Sequence, residues 1–110
     1  MGLSFKEFTA QDRRLSLLLA LESAEGYCAP HPLLKAFLDG LGHRVSDTTL
    51  IHDLQWLAHA ERALVTLDKQ SLLVIATATQ RGVDVAQGRE VVAGVKRPMP
   101  SSAADGGAYA

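Results

Sequence analysis

Apolar residues recur at helical spacing over most of the chain, and short apolar runs interrupt that rhythm in two places. After a short lead-in, "QDRRLSLLLALESAEG" has Leu15, Leu18 and Leu19 on one stripe with Glu22, and Leu17 and Leu21 on another side. Ser4 and Thr9 are both placed to cap this helix, and Gly26 suits its stop. The apolar arc is wider than the roughly 100° a small surface helix needs. A later helix or a second copy of the protein must therefore cover the extra side. Pro30 and Pro32 mark a turn, with Pro32 suited to a first helical position. Leu33, Leu34, Phe37, Leu38 and Leu41 then repeat helically up to Gly40 and Gly42. "HRV" is long enough for one rung of a sheet. Ser46 is a good N-cap, with Asp47 at the positive helix end, and the next helix runs to about Ala60. Its apolar face is Leu50, Ile51, Leu54, Leu57 and Ala58. "ALVTL" and "LLVIATAT" around the polar turn "DKQS" predict a β-hairpin. "TQRGVDVAQGRE" predicts a last short helix capped by Thr79, whose Val83 and Ala86 are candidates to cover the open side of the first helix.

The order is helix, helix, helix, strand, strand, helix. Two helices joined by a Gly-containing turn ahead of a hairpin make a helix-turn-helix with a wing. The expected class is α/β, mostly α, in one domain over residues 1–93. Residues 94–110, "GVKRPMPSSAADGGAYA", are rich in Pro, Gly, Ser and Ala and read as a mobile tail.

With 110 residues and 47% hydrophobic content, the chain can bury a single modest core. A net charge of -1 argues against holding nucleic acid by bulk charge, and leaves room for a local basic patch. The single cysteine, Cys28, permits no internal disulfide, which fits a reducing cytoplasm. It lacks a base or electropositive setting and reads as a buried or half-buried structural thiol. "LSLLLALESA" is too short to span a bilayer, and the N-terminus lacks the order of a signal peptide. The expected location is the cytoplasm, with no membrane partner.

The run "SDTTLIHDLQWLAHAERALV", followed by Thr79 and Gly82 as "T-x-x-G", resembles the winged-helix domains of bacterial regulators, including the ArsR-like and DeoR-like groups. That pattern implies a core containing Leu54, Leu57, Leu64 and Val65. Four motifs together give a more specific resemblance, to small proteins of Mu-like bacteriophages and prophages. They are "DRRL" (Asp12 to Leu15), "GHRVS" (Gly42 to Ser46), "DL-x-WL" (Asp53 to Leu57) and "GVKRP-x-P" (Gly94 to Pro100). The resemblance covers roughly residues 5–100. It implies a phage or prophage origin and a winged-helix transcriptional regulator.

Read as DNA-binding chemistry, the outer face of the third helix offers Thr48, Thr49, His52 and Gln55 to the major groove. Gln can bond adenine bidentately, and a Thr methyl can touch the thymine methyl. Arg44 and Ser46 lie at the start of that helix, where Arg44 is placed to hold a phosphate. Lys69 and Gln70 fall at the wing tip, and Lys35 and Arg62 add charge nearby. Against this reading, Asp47 and Asp53 are acidic, and the helix carries no Lys or Arg to read guanine. Few cations also mean few phosphate contacts and a binding that fades early with salt.

The alternative is a protein-docking module in phage assembly or host takeover. Leu17, Leu21 and Trp56 are the candidate partner or homodimer contacts. Trp56 is read as more often buried under its own chain, and as a partner anchor if exposed. A homodimer would set two third helices at half-sites about one helical turn apart. His43, His52 and His59 find no Cys or carboxylate at a recognisable spacing, so no metal is expected, and no cofactor. No catalytic motif is present, so no catalytic residue is assigned and a non-enzyme is expected. In the tail, Lys96, Arg97 and two prolines could form a strip that docks on a neighbour or touches phosphates.

Overall fold

The computed structural model describes residues 2–99 and builds them from four helices and one three-stranded sheet. Helix α1 spans Phe5–Ser23, six residues longer at its start than the leucine pattern alone suggests. Ser4 is its cap, accepting from the Glu7 amide at 3.1 Å, while Thr9 lies inside the helix and donates to the Lys6 carbonyl. Strand β1 (Cys28–Pro30) leads into α2 (His31–Gly40), and α3 (Asp47–Ala58) follows. Strands β2 (Val65–Gln70) and β3 (Leu73–Ala78) form the hairpin, and α4 (Gln80–Ala86) comes last.

The sheet is antiparallel in the order β1-β3-β2. The third strand is not "HRV", whose residues are irregular, but Cys28–Pro30, which pairs Ala29 with Ala76 and Pro30 with Ile75. Proline tolerates this place because a short edge strand asks little of its missing N–H. The hairpin is also longer than expected. Asp68, Lys69 and Gln70 continue β2, pairing with Ile75, Val74 and Leu73, and Ser71 and Leu72 make the turn. Ser71 takes the left-handed conformation that such two-residue turns demand (φ 58°).

The core lies between α1, α2, α3, the sheet and α4. Leu15, Leu17, Leu18 and Leu21 meet Leu34, Leu38, Leu50, Leu54, Leu57, Leu64 and Val65 there. Ile51 and Ala58 pack on its margin. Leu17 and Leu21 are fully buried within the chain, so of the two covers the sequence left open it is the later helix that closes over them, and they are not available as contacts for a second copy. They share the core cluster with Val83, Val85 and Ala86 of α4, which lies along α1. Helix α4 can start directly against the Leu64 backbone because position 82 is glycine: a Cβ there would lie 2.1 Å from the Leu64 carbonyl oxygen. Thr79 caps α4 as expected, accepting from the Gly82 amide and donating to the Ala63 carbonyl.

On α2, only Leu34 and Leu38 of the series reach the core, while Leu33, Phe37 and the C-cap residue Leu41 are exposed. Residues 94–99, grouped with the tail on composition, run against α1 instead. Val92 and Val95 are buried, and the Lys96 amide donates to the Gln11 carbonyl at 3.2 Å. The remainder of that tail, residues 100–110, lies outside the described residues.

Candidate functional site

Helix α3 is fixed by its cap and by its acids. The Ser46 hydroxyl accepts from the Thr49 amide at 3.1 Å and lies 3.2 Å from the Thr49 hydroxyl, which leaves Thr49 half-buried. Thr48, His52 and Gln55 are exposed and, with Asp47 and Ile51, line a shallow groove of about 260 Å³. Neither acid of α3 adds a free negative charge to that face. Asp53 points the other way: it is buried and held by the Arg13 guanidinium, Nη2 to Oδ1 at 3.1 Å and Nε to Oδ2. Asp47 is bridged by Lys35 at 2.9 Å, and the Lys35 ammonium holds the Asp47 carboxyl below its usual value, first through that hydrogen bond and then through its charge. The two acids that count against nucleic acid in the sequence are thus one buried pair and one surface pair.

Arg44 stands at 84% side-chain exposure, 3.5 Å from Asp39. Lys69 and Gln70 are exposed at the far end of β2, and Gln70 Nε2 donates to Asp68 Oδ2 at 2.6 Å. Lys69 meets no carboxylate among the described residues. Lys35 is committed to Asp47, and Arg62 donates to the Trp56 carbonyl at 2.7 Å. The exposed face of α3 therefore holds Thr48, His52 and Gln55, with Arg44, beside Asp39, ahead of the helix and Lys69 on the hairpin. Ser46 is spent on the cap.

Behind that face, the four sequence motifs converge. From "DRRL", Asp12 meets His43 of "GHRVS" at 2.7 Å and Lys96 of "GVKRP" at 3.1 Å. Burial pushes the Asp12 carboxyl up, but the His43 and Lys96 hydrogen bonds and charges outweigh it and hold it below its ordinary value of 3.8. The next residue, Arg13, takes Asp53 of "DL-x-WL". Arg14 stacks its guanidinium 4.2 Å from the Trp56 ring centre and donates to the Gly94 carbonyl at 2.8 Å. Arg62 stacks on the same ring at 3.7 Å. Gly94 lies so close that a Cβ would come within 2.5 Å of the ring. Trp56 is thus half-buried inside its own chain, clasped by α1 and the residue-94 segment rather than held open for a partner. Sequence spacing carries no sign of this clamp, because its members lie 31 to 84 positions apart.

Cys28 corrects a further expectation: it is exposed, because β1 turns Ala29 and not Cys28 to the core. His52 and His59 are both exposed, and His59 Nδ1 accepts from the Glu61 amide. Among the described residues, no three His, Cys, Asp or Glu side chains gather to hold a metal ion, and no helix is long and apolar enough to cross a membrane.

Sequence comparison finds relatives in a phage and in a bacterium. Protein gp26 of Escherichia phage Mu, itself uncharacterized, is 40% identical over 94 residues, which cover 86% of this chain and 95% of gp26. An uncharacterized protein of Haemophilus influenzae (strain ATCC 51907 / DSM 11121 / KW20 / Rd) is 36% identical over 80 residues, or 72% of this chain and 76% of its own length. The chain belongs to the family of phage Mu gp26. No described protein-family pattern matches it, and no solved structure does.

Proposed function

We propose that the chain is a winged helix-turn-helix protein that binds duplex DNA through α3 and the β2–β3 hairpin, as a phage transcriptional regulator. The element order supports the fold reading: two helices joined by a short turn, then a hairpin, with a short strand before α2 completing the sheet. The observation that carries the functional reading is the open face of α3. Thr48, His52 and Gln55 are exposed there, and neither acid of the helix adds a free charge. In this role Gln55 and Thr48 meet base edges, Arg44 holds a phosphate before the helix, and Lys69 on the hairpin holds another. Two cations make few phosphate contacts, so the affinity is modest and falls quickly with salt.

A second reading is favoured by the hairpin tip. Leu72 is 88% exposed and Leu73 is 40% exposed, an apolar end better suited to a protein surface than to phosphates. In that reading the same face docks a phage or host protein.

Fluorescence anisotropy separates the two. A labelled duplex from the phage promoter region is titrated with the full chain at low and at physiological salt. Binding that weakens on Gln55→Ala and on Lys69→Ala supports the DNA reading. Absence of binding at low salt ends it, and the search then turns to protein partners through Leu72→Glu.

A further inference from the structure

A cleft of about 910 Å³ opens between α1, the end of α4 and the segment that follows Val95. Its floor is one stripe of α1: Asp12, then Leu15 and Ser16 a turn on, then Leu19 a further turn on. Asp12 meets Lys96 at one end of that stripe, at 3.1 Å. Leu19 closes the other end, about 10 Å away along the helix axis. The apolar side chains that line the cleft are partly open to water: Leu19 is 36% exposed, Val91 58% and Met99 78%.

The cations of the cleft are unequally answered. Asp84 answers Arg89 at 3.4 Å, and Asp12 answers Lys96. Both Asp12 oxygens are taken, Oδ2 by His43 and Oδ1 by Lys96. Arg97 also lines the cleft; it is exposed and meets no carboxylate among the described residues. The cleft thus carries one positive charge in excess, next to Lys96, although the whole chain has a net charge of -1.

We propose that this cleft binds a small amphipathic monoanion, an alkyl chain that ends in a carboxylate. The carboxylate lies at the Lys96 end, where the Arg97 guanidinium offers it paired N–H donors. The alkyl chain runs along Leu15 and Leu19 and removes Val91 and Met99 from water. The volume falls within the roughly 300–1,000 Å³ of small-molecule sites, which are lined by apolar groups and oriented by a few charged ones. One negative charge balances the one unanswered cation, and Asp12 has no oxygen free to compete for Arg97. A neutral chain would forgo Arg97, and a small hydrophilic anion would leave the apolar floor wet. No residue of α3 or of the hairpin lines this cleft, so the site does not rest on DNA binding.

Isothermal titration calorimetry of the full chain with decanoate, below its micellar concentration, tests the proposal. Decanoate is expected to bind one per chain with a Kd of about tens to hundreds of micromolar. Acetate and inorganic phosphate, which lack the chain, and decyltrimethylammonium, which reverses the charge, are expected to bind at least about 10-fold more weakly. Arg97→Glu and Val91→Glu are each expected to weaken decanoate about 10-fold, with unchanged circular dichroism because both side chains are exposed. Lys6→Glu makes the same change of charge at an exposed position outside the cleft and is expected to bind like the wild type. Absence of decanoate binding overturns the proposal. So does binding that Arg97→Glu leaves unchanged, or that decyltrimethylammonium matches. An acidic, leucine-containing peptide that binds where decanoate does not assigns the cleft to a protein partner and overturns it as well.

Discussion

Arg13 on α1 binds Asp53 on α3 through two hydrogen bonds, and both side chains are nearly closed to water, at 14% and 6% exposure. A carboxylate in that position is tolerable only with its guanidinium, because an unpaired buried charge loses its hydration with no return. Removing one member is therefore worse than removing both. Arg13→Met should destabilise by about 3 kcal/mol. The double variant Arg13→Met with Asp53→Leu should recover at least about half of that loss. Urea denaturation of the two single variants and the double checks this; additive losses would show that the pair is not coupled.

The path of α4 rests on one missing methyl group. Gly82→Ala drives a Cβ into the Leu64 carbonyl, which as backbone cannot swing aside. The expected loss exceeds about 2 kcal/mol, or a fall of roughly 10 °C in a domain of this size. Gly40→Ala meets open space in a helix and should be neutral or stabilising by up to about 1 kcal/mol. Thermal melts of both variants at one fixed protein concentration read the contrast.

Gly94 combines a left-handed backbone (φ 95°) with contact against the Trp56 ring. Gly94→Ala should lift the segment around Val95 and Lys96 from α1, at a cost of about 1–3 kcal/mol. The single Trp56 reports it directly: its emission should shift toward that of a solvated indole, and amide exchange at Lys96 should speed up. An unchanged spectrum would mean that the segment's hold does not pass through Gly94.

Asp12 sets an acid limit. Its carboxyl is held below 3.8 in the folded chain by His43 and Lys96, against the upward push of burial. A carboxyl depressed by folding stabilises the native state above its unfolded value, and that contribution disappears as pH falls through the folded value. The stability gap between wild type and Asp12→Asn should therefore be present above the ordinary carboxyl value of 3.8 and close as pH falls below it. Denaturant midpoints measured on both sides of that value check it; a gap independent of pH would assign Asp12 no role through its charge.

If the α3 face holds DNA, Arg44 acts on phosphate and not on sequence. Arg44→Ala should weaken every duplex alike and lower the slope of log affinity against log salt by about 1. Gln55→Ala should cost about 1–3 kcal/mol on the preferred site only.

The helices were readable because their periodicity is local. Leu50, Leu54 and Leu57 mark the inner face of α3, and Ser46 and Thr79 announce their caps within three residues. What could not be read depends on distant partners. Cys28–Pro30 becomes a strand only because β3 lies beside it, so nothing in its three residues alternates. Asp53 looks like a solvent residue until Arg13, 40 positions away, is seen to claim it. Leu17 and Leu21 look unpartnered until α4 closes over α1. The turn falls at Ser71 and Leu72 for another reason: "DKQS" is polar enough for a loop, yet pairing with Leu73, Val74 and Ile75 extends the strand. In the candidate site, the exposed polar residues of α3 were legible and the neutral balance of charge around them was not.

The cover over Leu17 and Leu21 has a consequence for the order in which the protein can mature. During synthesis α1 emerges well before α4 and the Val95 segment that complete its surroundings. Until then its leucines have no complete shelter, and the Asp12 and Arg14 contacts have no partner at the far end. Folding of this chain is thus a late event on the ribosome, with closure deferred until most of the described residues are out. A nascent chain stalled before Val83 should remain sensitive to protease along α1, and one extended past Lys96 should resist it.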